Sequence, residues 1–161
     1  MVEIKKQIIS YLQENSRYTN EQIASMAGVS TQTVKTIIEE LEADGVIVKY
    51  TTIINPEKYE QSGVDALIQV KVKPQKLKGF DAFAEELCAF DEVVGLYLIS
   101  GNFDLEIIIK AKNLAEVSRF ISEKLSAVEG VIDVSTQFIL KKYKIEGQPA
   151  TLPSNERQVL L

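Results

Sequence analysis

The stretch TNEQIASMAGVSTQTVKTIIEELEADG, residues 19–45, reads as two short helices joined by a tight turn. Thr19 is placed to cap the first helix, and Gln22, three residues on, completes a capping box. Ile23, Met26 and Ala27 then fall on one side, and Gly28 supplies the permissive backbone that a sharp turn needs. Ser30 caps the second helix, whose Val34, Ile37, Ile38 and Leu41 repeat at the helical period. Gly45 stands where a glycine ends such a helix. Ser30, Thr31, Gln32, Thr33, Lys35 and Thr36 are left near the outward-facing start of the second helix. Short hydrogen-bonding side chains in that position are what a recognition helix presents to base edges and phosphates.

Working outward, residues 2–14 carry Ile4, Ile8, Ile9 and Leu12 along one helical stripe, which Asn15 and Ser16 interrupt. These three helices can close their apolar stripes on one another, as a small helical DNA-binding domain does. After Gly45, residues 46–54 are β-branched or aromatic almost throughout, the composition of a strand pair or an extended connection. In that position the stretch resembles the wing of a winged helix-turn-helix, or the strand leading out of one. Asn55-Pro56 punctuates it, and residues 57–63 read as a polar linker ending in a turn.

From residue 64 the pattern changes. Ile68, Val70 and Val72 alternate with Gln69 and Lys71 as in a half-buried strand. Residues 74–79 break it, and Phe80, Phe83, Ala84, Leu87 and Cys88 recur as a helical stripe. Two further strands, residues 93–99 and 105–111, are joined by a turn at Ser100-Gly101-Asn102. A second helical stripe follows (Leu114, Val117, Ile121, Leu125), and then a last strand over residues 131–142. The order β-α-β, repeated, predicts a four-stranded antiparallel sheet with two helices on one face. Leu67, Ile108 and Ile139 alternate onto the other face, and an apolar open face of this kind predicts a homodimer. Residues 146–161 are rich in turn-formers and are expected either to be flexible or to dock on a neighbouring subunit through Val159, Leu160 and Leu161.

The bulk properties narrow the function classes. The chain of 161 residues has one cysteine and no histidine. No intramolecular disulfide and no Cys/His zinc site is therefore possible. The commonest general base, triad partner and metal ligand are missing together, and no nucleophile or paired-carboxylate signature stands in for them. A non-enzyme without cofactor or metal is expected. No apolar run approaches the roughly 18 residues of a membrane span, and residues 1–13 do not read as a secretory signal. A cytoplasmic location is the default. The net charge of −5 does not advertise a nucleic-acid partner, although binding responds to the charge near the phosphates rather than to the total.

A helix-turn-helix, a short linker and a βαββαβ sandwich together resemble the Lrp/AsnC family of transcription regulators. The resemblance runs from about Ile4 to Lys144. Residues 8–60, IISYLQENSRYTNEQIASMAGVSTQTVKTIIEELEADGVIVKYTTIINPEKYE, look like the family's N-terminal domain, including the exit Glu-Leu-Glu-Ala-Asp-Gly-Val-Ile. Residues 93–113, VVGLYLISGNFDLEIIIKAKN, resemble its second and third sandwich strands with their Gly-x-x-Asp turn. Residues 128–140, VEGVIDVSTQFIL, resemble its closing strand. The resemblance implies an α+β fold, with a winged helix-turn-helix over residues 1–54 and a linker over 55–63. A ferredoxin-like sandwich (the RAM domain) for ligand sensing and oligomerisation follows over 64–145, then the tail.

It further implies double-stranded DNA and an amino acid or related small molecule as partners, and a homodimer that assembles further, commonly to octamers. Arg17 and Lys49 become phosphate contacts beside the recognition-helix residues. Carried over by position, Gly101 and Asp104 match the family's effector turn, with Ser100, Asn102 and Phe103 alongside. Ser135, Thr136 and Gln137 match the last-strand positions that face the same crevice. Backbone amides around Gly101 can hold a carboxylate, and Asp104 can pair with an α-ammonium. The same two residues also have a purely local reading, Gly101 permitting a hairpin turn and Asp104 capping it.

The sequence departs from the family in its charges. Between Ser30 and Gly45 the only basic residue is Lys35, against Glu39, Glu40, Glu42 and Asp44, and residues 1–60 hold six basic side chains against nine acidic. Few phosphates can be neutralised per subunit, which predicts a shallow salt dependence and weak binding by a single dimer. A sensor whose helix-turn-helix engages a protein instead of DNA is the alternative.

Overall fold

The computed structural model describes residues 2–56, 58–59, 63–73 and 79–150. The chain divides into two compact units, Met1–Ile53 and Ile54–Leu161. Of the expected linker, residues 57 and 60–62 lie outside the described residues, as do 74–78 and the tail from 151 to 161 with its Val159, Leu160 and Leu161.

The first unit is three helices: α1 (Val2–Glu14), α2 (Asn20–Ala27) and α3 (Thr31–Ala43). Thr19 caps α2 through the expected reciprocal box: its hydroxyl accepts from the Gln22 N–H at 3.3 Å, and the Gln22 side chain accepts from the Thr19 N–H at 2.9 Å. Gly28 ends α2 in the left-handed region (φ 68°). That conformation, unfavourable to a side chain bearing Cβ, turns the chain directly into α3. Ile8, Ile23, Ala24, Val34, Ile37 and Leu41 form the core. Met26, expected on the apolar side, is 43% exposed. Residues 46–54 form no ladder: the Ile47 N–H returns to the Leu41 carbonyl, and the stretch beyond takes no regular secondary structure, with Val48 and Tyr50 at the surface. Their composition favours extended backbone, but no described strand of this unit lies beside them to pair with.

The second unit contains β1 (Val64–Val72), α4 (Asp81–Cys88), β2 (Val93–Leu98), β3 (Leu105–Ala111), α5 (Leu114–Arg119) and β4 (Val131–Phe138). The sheet order is β2-β3-β1-β4, with β1 antiparallel to both its neighbours and β2 antiparallel to β3. This is the expected βαββαβ arrangement. Ala66, Ile68 and Val70 of β1 stand opposite Ile109, Ile107 and Leu105 of β3. With Phe83, Leu87, Val117, Phe120 and Leu125 they make a core under the helices. Leu67 pairs with Ile108 and Gln137, on the opposite face. The open face is therefore Leu67, Ile108 and Ile139 set among Gln69, Lys71, Glu106, Ser135 and Gln137.

Four details differ from the sequence reading. Cys88, expected in the core, is exposed: Phe83 and Leu87 make the buried stripe of α4, and the next residue is rotated about 100° away from it. The second helical stripe is interrupted. After α5 the chain makes a π-helical turn over Phe120–Lys124 and a 3₁₀ turn over Leu125–Ala127. The extra residue per turn carries the buried series from Phe120 to Leu125, leaving Ile121 half-buried; Leu114, at the first position of α5, is exposed. β4 stops at Phe138 rather than Lys142, because β1 begins at Val64 and the last bond across, from the Ile139 N–H to the Asp65 carbonyl, is already at its edge. Finally, residues 144–149 fold into a minimal hairpin of β5 (Lys144–Ile145) and β6 (Gln148–Pro149), and Ala150 beyond it is buried.

Candidate functional site

Two surfaces carry the residues singled out in the sequence, one in each unit. On α3, Ser30 is spent on the fold. Its hydroxyl accepts from the Thr33 N–H at 3.1 Å and lies 2.8 Å from the Thr33 hydroxyl. Both side chains are thus held in the cap. Thr31 is half-buried, while Gln32, Lys35 and Thr36 are exposed. With Val34, Ile37 and Leu41 buried, the 100° step of a helix sets Gln32 and Thr36 on the ridge opposite the core. Arg17 is exposed at the turn before α2, and Lys49 is exposed on the connection after α3.

The acidic half of α3 is engaged within its own unit. Lys5 reaches across from α1 to Glu40 at 2.7 Å, and that hydrogen bond raises the lysine's pKa. Lys35 stands 3.8 Å from Glu39, one turn on, and the Tyr50 hydroxyl donates to Glu42 at 2.9 Å. Partial burial, followed by that bond, pushes the Tyr50 phenol above its ordinary value. The carboxylates that the sequence sets against DNA are therefore partly offset by neighbours.

In the second unit, the turn between β2 and β3 is fastened to β1. The Ile99 N–H donates to the Asp104 carbonyl at 2.8 Å, and the Asp104 N–H to the Val70 carbonyl at 3.0 Å. The Asp104 carboxylate accepts from the Val72 N–H at 3.0 Å, and its other oxygen makes no hydrogen bond with a described residue. Gly101 takes φ 143°, and Ser100, Gly101 and Asn102 are exposed while Phe103 and Asp104 are half-buried. Lys71, which the sequence reading passed over, sets its ammonium 3.1 Å from the Asn102 carbonyl. The signal for it was the alternation of β1, which puts Lys71 on the open face with Leu67 and Gln69.

Ser135, Thr136 and Gln137 do not share a face. Ser135 stands opposite Gln69 and Gln137 opposite Leu67 on the open side, whereas Thr136 pairs with Ile68 on the helix side. Within one subunit β1 lies between this strand and the turn, a separation of about 10 Å at two strand spacings. Among the described residues, no group of three or more His, Cys, Asp or Glu side chains could hold a metal ion, and no helix is long and apolar enough to cross a membrane.

Residues 65–149 match the Lrp/AsnC ligand-binding domain, and residues 1–48 match a winged helix-turn-helix DNA-binding model. A helix-turn-helix transcriptional regulator of Bacillus subtilis, YugG, is 40% identical over all of this chain and 98% of its own length. The regulator FL11 of Pyrococcus furiosus is 31% identical over 88% of this chain and 91% of its own. Among solved structures, the transcriptional regulator NMB0573 of Neisseria meningitidis, in complex with L-Met, superposes with a TM-score of 0.69 at 25% identity. That match covers 96% of this chain and 97% of that one. With a helix-turn-helix unit, a βαββαβ ligand-binding unit and relatives matched along its whole length, the chain belongs to the Lrp/AsnC family of helix-turn-helix transcription regulators.

Proposed function

We propose that the chain reads a specific operator through Gln32, Thr36, Thr31 and Lys35, with Arg17 and Lys49 on phosphates, and changes its assembly when an amino acid binds at the turn of residues 100–104. Ser30 and Thr33 serve as the cap that fixes the start of the recognition helix. The observation that carries the reading is the outward ridge of Gln32 and Thr36 on an otherwise satisfied helix: an amide and a hydroxyl there suit hydrogen bonding to base edges. The effector's carboxylate would meet the Lys71 ammonium and the backbone around Gly101, and its ammonium the Asp104 oxygen that no described residue engages. Ser135 and Gln137 of a neighbouring subunit would close the crevice. The L-Met complex of the Neisseria relative supports an amino acid as effector.

Leu67, Ile108 and Ile139 would bury their face in a homodimer, and dimers would assemble further, to an octamer in the form common in the family. A cytoplasmic site of action goes with this reading. Several weak DNA contacts on one assembly multiply through effective concentration, which offsets the acidic character of each unit.

The test is a gel-shift titration on the DNA upstream of the protein's own gene, at low and physiological salt, with non-specific competitor. L-methionine and L-leucine are the first effectors to add. Stepwise specific retardation whose pattern changes with one amino acid is the expected result. Retention no greater than the competitor level, from folded and assembled protein, overturns it. The acidic helix (Glu39, Glu40, Glu42) would then favour a sensor that engages a protein partner.

A further inference from the structure

The second unit holds a cavity of about 530 Å³ that the function above does not use. It lies at the end of the sheet where β1 begins and β3 and β4 finish. Pro56, Ala111, Ile139 and Leu140 give it apolar walls, and Lys110, Lys112, Lys141 and Lys142 stand around it with Asp65 and Glu116. Its volume is in the range of small-molecule sites, about 300–1,000 Å³.

Both carboxylates at this cavity are already occupied. Asp65 pairs with Lys142. Glu116 accepts the Lys112 backbone N–H at 2.8 Å while its own N–H donates to the Asn113 side chain at 3.0 Å. Lys141 lies over the Tyr143 ring, 5.4 Å from its centre. The Lys110 and Lys112 ammonium groups, two residues apart at the end of β3, pair with no described residue. Among the described residues, what the cavity has left to offer a ligand is positive charge beside an apolar wall, in a chain whose net charge is −5.

We infer that this cavity binds a small organic anion carrying two or more negative groups, carboxylate or phosphate, with Lys110 and Lys112 as its principal contacts. The site is separate from the effector turn: Asp104 and Lys112 stand at opposite ends of β3, about 26 Å apart at the rise of a strand. It rests on the fold of the second unit and not on the amino-acid reading of the turn. A bound anion would lock the ends of β1, β3 and β4 together and so stabilise the unit that carries the open face.

The test is calorimetric titration of the full chain with citrate and with inorganic pyrophosphate, against sodium chloride at matched ionic strength. The comparison protein is Lys110→Gln/Lys112→Gln, which keeps the alkyl stems and leaves the backbone bond to Glu116 intact. Binding of citrate or pyrophosphate weakened tenfold or more in the double variant, with circular dichroism and elution volume unchanged, is the expected result. Asp104→Asn should leave this binding as it is, so that loss of the amino-acid response and loss of the anion remain distinguishable. No saturable heat with either anion, or equal affinity in the variant, overturns the inference. So does loss of non-specific duplex affinity in the double variant when the parent chain binds neither anion, which would assign the two lysines to the DNA backbone.

Discussion

Asp104 is asked to do two things, and two substitutions separate them. One carboxylate oxygen accepts the Val72 N–H at 3.0 Å, tying the turn to the end of β1; the other is the oxygen assigned to an effector's ammonium. Asp104→Ala removes the acceptor and leaves a half-buried N–H without a protein partner. Bonds to charged groups contribute about 1.5–3 kcal/mol when lost, and partial solvent access lowers that here to about 1–2 kcal/mol. For a unit of this size each kilocalorie is about 4–8 °C, so the unfolding of the sheet should move down by roughly 5–15 °C. Asp104→Asn keeps a carbonyl oxygen for Val72 and removes only the charge. Its stability should stay within about 1 kcal/mol of the parent, while the response of DNA binding to the amino acid disappears. Urea and thermal unfolding followed by circular dichroism give the first quantity, and gel shifts with and without L-methionine the second. If the two variants lose the same stability, the Val72 bond does not have the role given to it. If Asp104→Asn still responds, the carboxylate is not the ammonium's partner.

Four further outcomes follow from the structure. At Gly130 (φ 96°) an added Cβ would come within 2.8 Å of the buried Phe83 ring; crowding and backbone strain together should make Gly130→Ala cost about 2–4 kcal/mol. Combining it with Phe83→Leu should recover part of the crowding component in urea unfolding, and no recovery would refute the contact. Glu92 is held below the ordinary carboxylate range, first by its hydrogen bond from Lys124 and then by a backbone bond. Its contribution is therefore present above the unfolded carboxyl value of about 4.3 and lost as pH falls through the lower folded value. Glu92→Gln should weaken the chain at pH 7 by about 1 kcal/mol or less, given the exposure of the pair, and by less still at pH 3; a difference that grows on acidification would contradict this. On α3, Ser30→Ala should cost about 1 kcal/mol through loss of the cap. Gln32→Ala/Thr36→Ala should leave stability nearly unchanged but relax sequence preference in a binding-site selection. Indistinguishable preference in that double variant would remove these residues from base reading.

The sequence carried most of the architecture because its signals are local. Thr19 and Gln22 box the first turn of α2, Gly28 turns the chain, and the alternation through Ile68, Val70 and Val72 marks a strand with one buried face. Where the reading missed, a neighbour decided the outcome. The β-branched run after Gly45 favours extended backbone, but a ladder needs a partner strand, and none lies beside it among the described residues. Val131–Phe138 ends where β1 begins and not where its own composition weakens. The π-helical turn at Phe120–Lys124 shifts the buried series by a residue, which no strict helical period anticipates, and one step of rotation takes Cys88 out of the core.

The candidate sites divide along the same line. The sequence by itself determined which residues sit at the recognition helix and at the Gly101–Asp104 turn, because spacing and residue type are written in it. Only the tertiary structure decided how those side chains are spent. It set Lys5 and Tyr50 against the acids of α3 and gave one oxygen of Asp104 to Val72, whereas the Ser30 cap and the Lys35–Glu39 pair are local and follow from spacing. It also put Thr136 on the face opposite Ser135 and Gln137, and gathered Lys110, Lys112, Lys141 and Lys142 from two strand ends into one cavity. A hydrogen bond or a charge contact depends on distances between groups far apart in the chain, and those distances exist only once the sheet has chosen its register.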